Sequence, residues 1–431
     1  MGLHTGDGLV PDTNAPGTDE RTAAAEAIAL KCDLLTDGVR IEQDTLPVED
    51  MNLTRRHLYD YGMTRSRRPL PYELVLTRLP SFGGLPIVAR VRHNEKADWE
   101  LVLRDGTELL RNARLGRERP VHIPKVTDFR GYRVRGRDLS TVVQRLGYDL
   151  LGVVPTNHCS YYTAHEKCAF CEIVETFDDE AEPGTPYRKN RDLILAASEM
   201  AAGLDDTITS ITYNGGQLAD YDATVRMYVQ LVAGLRERPA TADLDTTVAC
   251  MPPRDLELIS ELKGAGLNQI YFNVETFDEN LLRSMAPAKS RFGLDNMLAA
   301  LKAAIDPFGP GRVYTNLVYG IQSLKDASPP THWHAEDENR VTLAAMRRLA
   351  EEGIVPTYTV YHSSGRNATG RIPLSSSGLL EFTEAYGRLV WHSGLIDRSR
   401  KAVLFTIGSL PNTTYNDGWL LAELSNGRAQ A

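Results

Sequence analysis

Three of the chain's five cysteines lie close together in TNHCSYYTAHEKCAFCEI. Cys159, Cys168 and Cys171 make a C-x8-C-x2-C pattern. Thiols grouped this tightly point to a bound metal. Two ligand sets fit the spacing. Four thiolate or imidazole donors would hold structural zinc, with His158 or His165 as the fourth. Three thiolates without a fourth suit a [4Fe–4S] cluster with one iron left open. An open iron can bind and activate a substrate or cofactor. The spacing alone leaves both sets standing, with an unmetallated trio as the third reading.

Chain composition bounds the rest. The 431 residues are 42% hydrophobic and 24% charged, an ordinary globular mix. That length suits a large domain with a smaller one, or two to three units. It can bury a sizeable core without disulfide staples, and five cysteines is an odd number. There is no apolar run of about 18 residues, so no membrane span is expected. Residues 1–20 are rich in Gly, Asp and Thr and lack an apolar core. They are expected to be disordered rather than a secretory signal. A reducing cytoplasm is the expected compartment.

Charge is uneven. The chain carries −9 overall, yet residues 51–150 carry +9. Eight arginines fall between Arg111 and Arg137. Such a stretch is most often a solvated face or an inter-domain seam. Its functional reading is a cationic surface over an anionic substrate or partner. The acidic overall balance argues against a dedicated nucleic-acid binder.

The elements that position the cysteines follow from periodicity. Residues 21–35 read as a helix. Residues 70–147 read as short strands and turns, such as YELVLTRL, LPIVARVRH and WELVLRDGTELL, with a helix over 137–147. From Asp149 the pattern changes. Strand candidates LLGVVPT, TSITYNG, TTVACM, QIYFNVE, VYTNLVYG and PTYTVYH alternate with amphipathic helices. Six strand–helix units call for a parallel sheet with right-handed crossovers. Functional residues should then gather at the C-terminal strand ends. The cysteine loop follows the first of these strands.

A cysteine trio ending C-x2-C, with Phe170 between the last two and a βα context, resembles the radical S-adenosylmethionine (SAM) superfamily. Three segments add to the resemblance. YNGGQ (Gly215, Gly216, Gln217) resembles the segment whose backbone holds the SAM amino group, with Gln in place of the usual Glu. FNVET places Asn273 and Glu275 on one side of the fourth strand, where family members bind ribose or methionyl groups. VYTNLVYGIQ, with Tyr319, resembles the strand flanking the adenine. The run from NVETF through VYGIQ looks most like the biotin synthase-related branch. There a basic residue after the fourth strand meets the SAM carboxylate. Lys289 or Arg291 would fill that role, and bidentate geometry favours Arg291.

The resemblance implies an α/β chain built on a partial (β/α)6 TIM-like barrel with an N-terminal α+β extension. The expected units are 1–20, disordered; 21–148, a substrate or lid module; 149–365, the radical SAM core; and 366–431, an extension covering the barrel. Only Cys32 and Cys250 remain, too few for a second all-cysteine cluster. Cys250, at the third strand end, is a candidate hydrogen-atom donor. Tyr361 and His362 are candidate cavity residues at the sixth. The implied cofactors are a [4Fe–4S] cluster and SAM, and the implied partners are a small-molecule substrate and an electron donor such as flavodoxin or ferredoxin. The implied reaction is hydrogen abstraction by a 5′-deoxyadenosyl radical, leading to rearrangement, cyclisation, epimerisation or dehydrogenation. One alternative is cleavage of a different SAM bond with aminocarboxypropyl transfer. Another, from a different class, is a zinc-containing βα-barrel hydrolase or binding protein.

Overall fold

Polar side chains start the helices of the repeat. Asn190, Asp220 and Asp278 each accept a hydrogen bond from the first turn of the helix that follows. The computed structural model describes residues 19–41, 53–54, 70–82, 84–124, 127–147, 149–180, 185–321, 335–361, 375–396 and 412–426.

The N-terminal part opens with α1 (Glu20–Thr36), which buries Ala24, Ala27, Ile28 and Leu35 at helical spacing. Short strands follow: β1 (Arg40–Ile41), β2 (Leu53–Thr54), β3 (Leu70–Pro71), β4 (Glu73–Leu79), β5 (Leu85–Arg90), β6 (Trp99–Arg104), β7 (Thr107–Asn112) and β8 (Arg117–Pro120). The turn between β6 and β7 is Asp105-Gly106, both at positive φ, the backbone that a tight hairpin requires. Then come β9 (Arg133–Val134), β10 (Arg137–Asp138) and β11 (Val143–Leu146). The helix expected over 137–147 is therefore reduced to one 3-10 turn, Leu139–Thr141, closed by Val142. From the β-branched Val143 onward the backbone is extended. Gly147, at φ 55°, turns the chain so that β11 pairs antiparallel with the next strand.

That strand, β12 (Leu150–Val153), begins the repeat. It continues through α2 (Ile173–Glu180), α3 (Arg191–Leu204), β13 (Ser210–Asn214), α4 (Tyr221–Arg236), β14 (Asp245–Cys250), α5 (Glu257–Gly264), β15 (Gln269–Phe272), α6 (Glu279–Met285), α7 (Pro287–Phe292), α8 (Leu294–Phe308), β16 (Val313–Tyr319), α9 (Ala335–Glu351), β17 (Ile354–Val360) and α10 (Ser376–Ser393). The chain ends its described part in α11 (Tyr415–Asn426). One seven-stranded sheet runs β11-β12-β13-β14-β15-β16-β17 in chain order. β12 to β17 are all parallel. β17 does not pair back onto β11 among the described residues, so the barrel is partial.

The open edge of β17 is covered rather than exposed. Thr413 Oγ1 donates to Tyr358 O, and β17 is buried along all but one of its seven residues. The first and last described helices meet nearby. Lys31 of α1 pairs with Asp417 of α11 at 2.6 Å, with both side chains buried.

Candidate active site

The loop after β12 carries the three cysteines, and all three line one cleft at the C-terminal ends of the strands. Backbone hydrogen bonds fix the loop. Cys171 N donates to Cys168 O (3.0 Å), which closes the C-x2-C turn. Ala169 N donates to Met285 O (2.8 Å), which ties the loop to the end of α6. The Tyr162 hydroxyl donates to Cys171 O (2.9 Å). Burial pushes the Cys168 thiol up, and Cys171 up to about 12. Thiolates here would also repel each other and Glu275. A cationic centre is what would hold Cys168 and Cys171 as thiolates.

The glycine pair after β13 supports that loop. Gly216 N donates to Thr156 O (2.8 Å), and Gln217 O accepts from Ser160 N (2.7 Å). A Cβ on Gly216 would lie 2.1 Å from His158 O and 2.8 Å from Cys159 N. A Cβ on Gly215 would lie 2.9 Å from Thr156 O. Both contacts are with backbone, which cannot swing away as a flexible side chain can. Glycine is required here because two loops touch. Gly216→Ala is thus expected to displace Cys159 at an overpacking cost of about 1–3 kcal/mol. Iron content after reconstitution should fall below half, with far-ultraviolet circular dichroism unchanged. Full iron loading in the variant would remove this role.

Past β15, Asn273 and Glu275 both line the cleft. Glu275 sits at φ 65°, a backbone region that costs a non-glycine residue about 1–3 kcal/mol. Bonds to β16 hold it there: Glu275 N donates to Asn316 O (3.0 Å), and Glu275 O accepts from Val318 N (2.9 Å). Lys289, from α7, donates to Asn273 O (2.9 Å) and to the Glu275 carboxylate. Burial raises the Glu275 carboxyl, and Lys289 opposes it. Asn273 Oδ1 is buried and accepts no hydrogen bond from the described residues. A ligand donor in the cleft would satisfy it.

The family profile described as the Radical SAM superfamily matches residues 153–328, which span the cysteine loop through β16. Residues 153–328 are a radical SAM domain. A curated relative, bacteriochlorophyllide c C-7(1)-hydroxylase of Chlorobaculum limnaeum, is 24% identical over 268 residues, covering 58% of this chain and 61% of its own. The chain thus spans about three-fifths of the curated relative's length. Among solved structures, HydG, a maturase of the [FeFe]-hydrogenase, aligns at TM-score 0.42 and 14% identity, covering 58% of this chain and 52% of that one. Methylornithine synthase aligns at TM-score 0.40 and 15% identity, covering 57% and 64%.

Radical SAM enzymes use a [4Fe–4S] cluster and SAM, so these are the cofactors of the domain. The donor set fits them. Three thiols face one cleft, and no three His, Cys, Asp or Glu side chains among the described residues converge on a single-ion site. His158 and His165 are exposed and do not line the cleft, so the four-donor zinc set is not assembled.

The remaining sequence-derived residues of the radical SAM domain divide. Phe170, Gly215, Gly216, Gln217 and Cys250 line the cleft. Arg291 does not. It is 55% exposed and pairs with Glu166, while Lys289 takes the inner position. Tyr319 points into the helix layer, where its ring stacks on Phe382 at 4.3 Å and its hydroxyl donates to Asn339 (2.9 Å). Tyr361 is buried in the core and does not line the cleft. His362 lies outside the described residues. Tyr161, Lys167, Tyr221 and Met251 line the cleft and were not singled out by sequence. Tyr161 and Lys167 lie within the cysteine loop itself, which was the available signal.

Proposed function

We propose that this chain reductively cleaves SAM and abstracts hydrogen from a small-molecule substrate, leading to rearrangement, cyclisation, epimerisation or dehydrogenation. The observation that carries this is one cleft holding three cysteine thiols, the Lys289–Glu275 pair and the unpartnered Asn273 Oδ1. When bound, the cluster and SAM supply a 5′-deoxyadenosyl radical. The chain's own residues supply position and dryness. Cys159, Cys168 and Cys171 hold the cluster. Asn273 and Glu275 orient SAM, and Lys289 receives its carboxylate. The carbonyl oxygens of Gly215 and Gly216 are the groups that accept from the SAM amine, since Gly216 N and Gln217 O already tie the cysteine loop.

Cys250 sits at the end of β14 in the same cleft. Burial pushes its thiol up to about 12, so it stays protonated. A neutral S–H is the form that can give a hydrogen atom to a substrate radical. None of the described residues of 51–150 lines the cleft, so the cationic surplus of that segment is not carried into it. The cleft's own lysines, Lys167 and Lys289, each pair with a carboxylate. Five of the eight arginines between Arg111 and Arg137 are likewise ion-paired. The curated relative is named as a hydroxylase of a pigment carbon. A C–H bond that must be broken is what its name shares with this reading.

No helix among the described residues is long and apolar enough to cross a membrane. A reducing cytoplasm is the setting that this chemistry needs.

The deciding experiment is anaerobic reconstitution with iron and sulfide, reduction by dithionite with SAM, and mass spectrometry of the products. 5′-Deoxyadenosine is the expected product. Methylthioadenosine instead would put aminocarboxypropyl transfer in its place. Neither product, with about one zinc per chain, would overturn the proposal in favour of a zinc barrel.

A further inference from the structure

Outside the cleft, a groove runs along the outer surface between the start of α3 and α4. Arg188, Arg191 and Arg226 line it, with Lys189 buried at its floor. No acidic side chain lines it. All three arginines are exposed. Arg188 and Arg226 make no ion pair with any described residue. The neighbouring β9–β10 hairpin extends the cationic surface. Arg137 donates to Thr185 (3.4 Å), and Arg135 lies 3.9 Å from Asp192 of α3. Tyr187, 37% exposed, adds an aromatic contact beside Arg188. Arginine and tyrosine around a shallow groove is a composition that suits protein docking.

This face lies directly behind the cysteine loop. Asn157 N donates to Tyr187 O (2.9 Å), and Lys189 N donates to Pro155 O (2.9 Å). Lys189 Nζ donates to Asn157 Oδ1 (2.7 Å) and Val154 O (2.9 Å). One hydrogen bond and two residues of chain therefore join the exposed Tyr187 to Cys159. The first two turns of α4 serve both sides, with Thr224 lining the cleft and Ala223 and Arg226 lining the groove.

We propose that this arginine groove docks an acidic iron–sulfur electron carrier that reduces the cluster through the outer side of the cysteine loop. The proposal rests on the radical SAM reading above. SAM and substrate must fill the cleft when the electron arrives, so a protein donor has to approach from elsewhere. In the docked complex, one electron leaves the reduced carrier and one enters the domain's oxidised cluster, and no atom is transferred. A groove lined by three exposed arginines and no acid, with Asp178 and Asp192 only at its margin, raises the encounter rate with an anionic protein and makes binding salt-dependent.

The test compares the cluster-loaded wild type with the double variant Arg188→Glu/Arg226→Glu. Neither residue lines the cleft. The probe is an acidic [2Fe–2S] ferredoxin. Its affinity is measured by surface plasmon resonance at low and high salt. 5′-Deoxyadenosine formation is measured with reduced ferredoxin and, separately, with dithionite. The expected result is at least about tenfold weaker ferredoxin binding in the variant, a flattened salt dependence, a parallel loss of the ferredoxin-driven rate, and an unchanged dithionite-driven rate. Ferredoxin affinity and rate equal to wild type would overturn the proposal. So would loss of binding to an anionic oligonucleotide with ferredoxin unaffected, which would make the groove a nucleic-acid surface. Failure of the underlying reading looks different: dithionite then yields no 5′-deoxyadenosine even from the wild type.

Discussion

Cys168→Ala is expected to leave a folded, colourless protein that forms no 5′-deoxyadenosine. The side chain is half-buried and lines the cleft with Cys159 and Cys171. Removing its sulfur takes away one of the three thiols that the cysteine loop brings to the cleft. Cys250 lines the same cleft but sits on β14, outside the cysteine loop. Two thiolates are too few to hold a [4Fe–4S] cluster, and Glu275 in the same cleft is already engaged by Lys289. The packing loss itself is small, about 1 kcal/mol. Iron content and iron–sulfur absorbance should therefore vanish while circular dichroism and melting of the apoprotein change little. Product formation should drop to the level of a protein-free control. A variant without a cluster that still cleaved SAM would end the assignment of these cysteines.

Much of this arrangement was legible in the amino-acid order, and the failures share a cause. The six parallel strands were visible because runs such as SITYN and VYTNLVY are β-branched, aromatic and separated by amphipathic helices. The cysteine loop and the glycine pair were visible because few residue types can do what they do. Which face a side chain takes was harder. Tyr319 lies on the strand next to the cleft, yet alternation sends it to the helix layer, with Asn316 and Val318 on the opposite face. Settling that parity needs the register with β17, a long-range property. The resemblance gives the backbone of the glycine pair to SAM, yet the group that packs against Gly216 is the backbone at His158. Only the folded chain brings those loops together. The 137–147 segment failed for a local reason. Its apolar spacing also fits a turn and a short strand, and pairing with β12 decides between them.

The choice between Lys289 and Arg291 leads to the second large effect. Two residues on one helix lie about 200° apart around its axis, so both cannot face the cleft. α7 starts at Pro287, and that start turns Lys289 inward and Arg291 outward. Lys289→Met is expected to weaken SAM binding by about 10- to 100-fold, the size of a lost charge-assisted hydrogen bond. It should also destabilise the domain, because Glu275 is left buried without its partner, a loss of about 3–5 kcal/mol. Arg291→Ala removes an exposed pair with Glu166, worth about 0–1 kcal/mol, and should change SAM affinity less than about fivefold. Folding and binding can be separated in one further step. The double variant Lys289→Met/Glu275→Gln has no stranded charge, so its melting temperature should recover much of the loss. Its SAM affinity should stay low, because the ammonium that meets the carboxylate is still missing. Isothermal titration with SAM and thermal melts of the four proteins give both quantities. If Arg291→Ala loses SAM while Lys289→Met keeps it, the outward arginine is the carboxylate partner and α7 must rotate on binding.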